Sequence, residues 1–600
     1  MAGGEALPHQ VVDQIVDRTD GVPLFIEELT KSVLESGASL VGIPTTLHDS
    51  LMARLDRLAS VRLVAQIGAA IGREFPYEML RAVSDLPEDE LHAALARLIA
   101  SELVFQRGAP PDAVYTFKHA LVQDAVHGTL LRSIRQLLHA QIAEALEASS
   151  PELMDSQPEL FAQHYAEAGL VEKSIACWGK AGRRSVARSA TAEAAAQFQM
   201  GLEQLALLPD DRERQRQELE FRSSLGAVLQ AVNGFAAPEA GHAYARAREL
   251  WEQLGFPSEF LLVPFGQSLY HVFHGELDVA LRLDEDLLRL SRQRDDSAGL
   301  VLGYVSSGRN LMYKGRFAAC RSHLEAGLAV YDPASHRSLV QQAGIYPHVN
   351  SQAYLGITLF CLGYSDEALR QSNEAIAEAR KLAHLPTLAM SLTVGIVLLL
   401  LIGDDPALDA RVDQLVAVAT EQGFSHWSAQ GAIYRGWIKV KNGDVAEGVS
   451  LLRSGSAAYR ATGSETWWPY AFSLLARACE IAGRVEEAAE LLDETLQTVG
   501  RTGERWFAAE LHRLKGKVLL ARGRVEAAEE QYRKALRIAE EQDAKLWELR
   551  AAMSLARLRR DQGHYAEGRN FLAPIYGWFT EGFDTPDLKE AKALLKELDP

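Results

Sequence analysis

Cysteine is scarce in this chain: four in 600 residues, at Cys177, Cys320, Cys361 and Cys479. They stand singly, with no CxxC pair and no zinc-ligand spacing, which excludes a disulfide framework and a thiolate metal site. Each lies in an apolar helical stretch, as buried core thiols do in a reducing compartment. No apolar run approaches the roughly 20 residues a membrane helix requires, and the most apolar one, residues 394–402, reads as a buried helix. The opening MAGGEALPHQ has neither a basic n-region nor an apolar h-region, so no secretory signal is visible and a cytoplasmic location is expected. A basic surplus is also missing. With a formal net charge of -18 and a pI near 5.5, nucleic-acid binding is disfavoured, and with it a transcriptional regulator.

Catalytic signatures are absent too. There is no HExxH and no GxSxG, and neither Gly179-Lys180 nor Gly516-Lys517 has the upstream glycine of a phosphate-binding loop. His119 and His127 lie eight residues apart with no third ligand near them in the sequence, so no metal is expected. Proline is sparse, 21 of 600, and alanine, leucine, glutamate and arginine dominate. An all-α, non-enzymatic chain follows.

What is present is a repeat. Gly403, Gly443, Gly483, Gly523 and Gly563 recur every 40 residues, each opening a short polar turn, as in GRVEEAAELL and GRVEAAEEQY. Glycine accepts the left-handed backbone that stops a helix, and the acidic-alanine stretch after it opens the next. Small or apolar residues keep fixed offsets of 12, 16 and 19: Ala528, Tyr532 and Ala535 after Gly516, and Ala368, Ser372 and Ala375 after Gly356. Small residues facing one another let paired helices approach closely. This is the tetratricopeptide pattern stretched from its usual length to 40. Gly275 and Gly315 continue it upstream; 48 residues then separate Gly315 from Gly363, with the excess in the proline-interrupted loop YDPASHRSLVQQAGIYPH. Trp427, Trp467, Phe507 and Trp547 keep the same 40-residue beat and are expected to pack on helix B of the preceding repeat.

Helix A of such an array lines a groove. The groove positions Arg477, Arg513, Lys517, Arg550 and Arg557 form a basic strip on an acidic background, a candidate site for an acidic peptide or a carboxylate terminus. The first 145 residues differ. Helices are expected over 47–58, with Thr46 as N-cap, 61–70 and 88–100, then a hairpin from LVFQRG to AVYTFKH, a winged-helix-like order.

At TDGVPLFIEEL, IPTTLHDSLMARLDRL, GAAIGREF, YTFKHALVQDAV, YRATGSE, TGERWFAAELHRLKG and YGWFTEGFDTPDLKEAKALL, the chain resembles the bacterial STAND (AAA-type) ATPases with tetratricopeptide repeats. Many of these carry a class III adenylate/guanylate cyclase domain. The resemblance implies a remnant of the ATPase helical lid over 1–40, a winged-helix-like domain over 41–145, irregular helical repeats over 146–262 and the solenoid over 263–600. It implies that the chain begins inside the ATPase module, so that ATP or ADP is held only where a P-loop domain is supplied. Pro23, in Gly21-Val22-Pro23, is similar to the family's adenine-packing proline, and His119 to its phosphate-sensing histidine. The expected role is a regulatory sensor whose solenoid binds a protein or peptide partner. The alternatives are a subunit that completes an ATP-binding ATPase or cyclase in trans, and a transcriptional regulator using the winged helix.

Overall fold

The computed structural model describes residues 61–599 apart from Ser189 and Asp404, together with Val12, Ile15, Val16, Phe25, Ile26, Glu27, Leu29 and Thr30. Pro23 and the helix expected over 47–58 lie outside the described residues. The chain divides into two compact units, one from residues 1–188 with 196–209 and one from 189–195 with 210–600.

The first unit opens with α1 (Arg62–Ile71), β1 (Glu74–Pro76), α2 (Tyr77–Val83), α3 (Glu88–Ala100), β2 (Val104–Arg107) and β3 (Val114–Phe117). The strands form one antiparallel sheet in the order β1-β3-β2, with Phe75 opposite Tyr115 and Val104 opposite Phe117. Phe75, Tyr115 and Phe117 share the buried face, with ring centroids 5.4–5.6 Å apart. Gly68 of α1 lies over them, where an added Cβ would come within 2.8 Å of Phe75 Cζ. The expected hairpin is present. Strand β1 and helix α2 were not foreseen; they are three and seven residues long, too short to show a period. Then follow α4 (Ala120–Gly128), α5 (Arg132–Ser149), the short α6 (Leu153–Ser156), α7 (Pro158–Ala168), α8 (Val171–Ala187) and α9 (Thr191–Leu205).

The second unit is built from helix pairs. They are α10 (Arg212–Asn233) with α11 (Pro238–Gln253), α12 (Leu262–Phe273) with α13 (Leu277–Gln293), and α14 (Ser297–Tyr313) with α15 (Phe317–Val330). The insertion expected as a loop instead folds into the short α16 (Pro333–His336) and α17 (Val340–Ala343), with Asp332 capping α16. The series resumes with α18 (Pro347–Leu362) and α19 (Ser365–Lys381), α20 (Leu385–Ile402) and α21 (Asp405–Gln422), and α22 (Ser425–Lys441) and α23 (Val445–Ala461). It ends with α24 (Trp468–Ile481) and α25 (Val485–Thr502), α26 (Ala508–Ala521) and α27 (Val525–Glu541), α28 (Lys545–Asp561) and α29 (Tyr565–Tyr576), and the terminal α30 (Pro586–Glu597). Ala528, Tyr532 and Ala535 are buried against helix A as the offsets required, and a Cβ on Gly516 would stand 2.5 Å from the Tyr532 ring.

The array is not an open groove lined by solvent. An earlier arc (α12 to α20) packs against a later one (α22 to α30), and the main apolar cluster takes residues from Ala236 to Leu598, with smaller clusters beside it. Backbone bonds stitch the seam: Glu465 N–H donates to Phe273 O at 2.7 Å, and Arg505 N–H to Tyr313 O at 2.7 Å. Glu581 accepts from the first-turn N–H groups of Asp366 and Glu367 at 2.9 and 3.1 Å, capping α19 from 214 residues away. The repeat glycines divide accordingly. A Cβ on Gly315 would meet Gln542 Nε2 at 2.1 Å, whereas one on Gly483 or Gly523 would meet nothing within 4 Å.

This closure corrects the expectation for the aromatic series. Trp467 packs edge-on against Tyr313 at 5.7 Å and Trp547 against Phe360 at 5.8 Å, so their partners sit on helix A of the earlier arc, not only on the preceding helix B. Closure also accounts for α20, which is apolar on every side. It has the length and composition of a membrane span, yet 83% of it is buried by its neighbours. All four cysteines are free and buried.

Candidate functional site

The basic strip of the sequence is a real spatial cluster, but most of it is already neutralised. Arg513 holds both oxygens of Glu510, at 2.7 and 3.0 Å, from one helical turn away on α26. Arg550 of α28 reaches the same Glu510 at 3.3 Å, both oxygens of Asp587 on α30 at 2.9 and 2.8 Å, and Leu401 O on α20 at 2.5 Å. Glu510 is 3% exposed. Burial works to raise its pKa, and the Arg513 and Arg550 charges outweigh that and bring it down to about 2. Burial works to lower the pKa of both arginines, and carboxylates outweigh it: Glu510 for Arg513, and Asp587 with Glu510 for Arg550. Arg513 and Arg550 are therefore internal struts joining α20, α26, α28 and α30, and the expectation that they are free to meet a ligand is revised. Lys517 pairs with Glu480 at 2.9 Å and Arg557 with Glu590 at 2.5 Å, both near the surface, where such pairs are weak and exchangeable.

Arg477 is different. Its guanidinium lies 4.4 Å from the Trp437 ring centroid, half-buried, and its pKa is lowered by burial and by the like charges of Arg513 and Arg550. Three guanidinium groups thus face two carboxylates, Glu510 and Asp587. A cluster with one uncompensated positive charge behind an aromatic plate can accept a carboxylate.

Two further features of this unit lie off the strip. Glu504 is 1% exposed and accepts from Trp467 N–H at 3.0 Å and Trp506 Nε1–H at 2.9 Å. Burial outweighs those donors and lifts its pKa to about 8, so a neutral carboxylic acid lies under the seam at pH 7. A cavity of about 330 Å³ opens where the α10–α11 turn meets the segment after α23, lined by Asn233, Pro238, Glu239, His274 and Thr462 among others.

In the first unit His119 precedes α4, and its backbone carbonyl accepts from Val122 N–H at 3.0 Å. Its Nε2 is buried with no hydrogen-bond partner among the described residues. Lys118, next to it, is held by Glu27 at 2.5 Å. His127 does not face His119; it faces His139 and Glu167 on other helices, a grouping that sequence spacing does not reveal.

A tetratricopeptide repeat model matches residues 469–541, which span α24 to α27, so the helix pairs of the later arc are tetratricopeptide-like. The chain is 26% identical over 576 residues to an uncharacterised protein of Rhizobium meliloti (strain 1021), covering 92% of this chain and 55% of the relative; it spans about half of that longer protein. Among solved structures, a Rap protein complexed with competence and sporulation factor matches at TM-score 0.45 and 12% identity, over 62% of this chain and 99% of that one. A STAND protein with a tetratricopeptide repeat sensor from Pyrococcus horikoshii matches at TM-score 0.39 and 10% identity, over 90% of this chain and 72% of that one.

Proposed function

We propose that this chain is a non-catalytic sensor module whose tetratricopeptide-like array binds a protein partner through an acidic segment or carboxylate terminus, within a STAND ATPase or cyclase signalling system of the cytoplasm. The observation that carries the reading is the charge imbalance at Arg477. A ligand carboxylate there would complete the set of three arginines and two acids without displacing either internal strut. Lys517 and Arg557, each tied only to a surface acid, would extend the contact along α26 and α28. In this reading the helix-and-hairpin region of the first unit is a winged-helix domain that links the array to a nucleotide-binding partner domain.

The test uses peptides ending in Asp or Glu, labelled and titrated against the purified chain. Arg477→Glu should weaken binding roughly 10- to 100-fold, as expected when a charged hydrogen bond becomes a repulsion. The fold should survive, because neither Glu510 nor Asp587 loses a hydrogen bond. Unchanged affinity in Arg477→Glu would overturn the reading, and ATP hydrolysis by the purified chain would overturn its non-catalytic part.

One observation favours a second role alongside the first. The unpartnered, buried Nε2 of His119 supports a chain that contributes this imidazole to a nucleotide held by a P-loop domain supplied in trans. Retention of ATP by such a domain only in the presence of this chain, lost with His119→Ala, is the expected result.

A further inference from the structure

In the first unit three helices bring metal-ligand chemistry together at one point. His127 comes from α4, His139 from α5, and His164 and Glu167 from successive turns of α7. His127 Nε2 and His139 Nε2 stand 3.2 Å apart. A carboxylate oxygen of Glu167 completes a set whose ligand atoms all lie within 4.8 Å of one another. Two nitrogens bound to a tetrahedral zinc ion, each about 2.0–2.1 Å from it, are separated by about 3.3 Å. The spacing of these two imidazoles, a hydrogen bond in the absence of an ion, is thus also the bite of a bidentate site.

The surroundings supply what a histidine ligand requires. His139 is 5% exposed, and its other nitrogen, Nδ1, lies 2.9 Å from Nδ1 of His164, which is also 5% exposed. If His139 donates Nδ1–H to His164, the tautomer is fixed and the Nε2 lone pair is left pointing at His127 and Glu167. This is the second-layer partner that orients a metal-binding imidazole. Glu167 is exposed and pairs with Arg135 at 3.3 Å, and a carboxylate oxygen of it lies within reach of both imidazoles. The buried side of the cluster is therefore rigid and its Glu167 side is open to water, which gives both a fixed geometry and an entry path.

We propose that His127, His139 and Glu167 bind a divalent transition ion of the zinc class, with His164 as a positioning residue and water in the fourth place. The ion would pin α4 and α5 to α7, joining the segment after the hairpin to the helices that follow it. The proposal rests on residues of the first unit alone and is independent of the partner-binding reading above.

The experiment titrates untagged full-length chain with cobalt(II) and zinc(II) by calorimetry and visible absorption. One equivalent of cobalt is expected to bind with tetrahedral visible bands that zinc displaces. The melting temperature of the chain should rise with zinc. His127→Ala and Glu167→Gln, both at the accessible edge, should keep the circular dichroism of the parent and lose the bands. His164→Gln should weaken affinity roughly 10- to 100-fold while keeping the stoichiometry. Failure of the parent chain to bind one equivalent, or identical binding by His127→Ala and Glu167→Gln, would overturn the assignment.

Discussion

Replacing Glu510 by alanine should cost this protein more than almost any other single polar substitution. The carboxylate sits between Arg513 and Arg550 at 2.7–3.3 Å. Its removal leaves three guanidinium groups facing Asp587 alone. The fall of its pKa from the ordinary 4.5 to about 2 corresponds to roughly 3 kcal/mol, at about 1.4 kcal/mol per pKa unit. Breaking one side of a buried ion pair costs about 3–5 kcal/mol by independent reckoning, so the two agree in order of magnitude. The pH dependence has a definite sign. A carboxyl with a depressed folded pKa contributes stability above about pH 4.5, and loses it as the pH falls toward about 2. Urea unfolding followed by tryptophan fluorescence is the assay, since Trp467, Trp506 and Trp547 are all buried in the same core. Glu510→Ala should lose about 3 kcal/mol at pH 7 and much less near pH 3, with a flattened acid limb. Adding Arg513→Met should recover part of the loss. A loss below about 1 kcal/mol, or an unchanged acid limb, would refute the view of Glu510 as a load-sharing strut.

Glu504 has the opposite sign. With its pKa raised to about 8 by burial, its contribution is present below about pH 4.5 and disappears as the pH rises through about 8, on the order of 5 kcal/mol in all. Glu504→Gln keeps an oxygen for Trp467 N–H and Trp506 Nε1–H, so denaturant midpoints of the variant should hardly change across that interval while those of the parent fall. Trp547→Ala should cost about 3–5 kcal/mol by opening a cavity. Because the ring contacts Phe360 of the earlier arc at 5.8 Å, it should also speed hydrogen exchange in α18, which helix-B packing alone would not do.

Much of the local architecture was legible in the residues. Gly403 to Gly563 mark the ends of helix A at a fixed period, and Ala528 and Ala535 show which faces meet, because both signals lie within one repeat. The hairpin around residue 108 was legible for the same reason. Closure of the array was not. Phe273 and Glu465, or Asp366 and Glu581, are about 200 residues apart, and nothing in either segment encodes its partner. That gap explains the misreading of the strip. Arg550 finds Asp587 only when α30 folds back, whereas the Arg513–Glu510 pair lies within one turn and is legible from the i,i+3 spacing. His127, His139 and Glu167 carry no sequence signal because three helices supply one ligand each, at separations of 12 and 28 residues that match no metal motif.

The central claim is that the tetratricopeptide-like array recognises a carboxylate through the single uncompensated arginine of its cluster. Its most direct measurement is the affinity of the full chain for a peptide ending in aspartate, compared with the same peptide amidated, in the parent and in Arg477→Glu. The account predicts binding that falls by roughly 10-fold or more on amidation or on charge reversal, with no added loss when the two are combined. Equal affinity in all four combinations would contradict it.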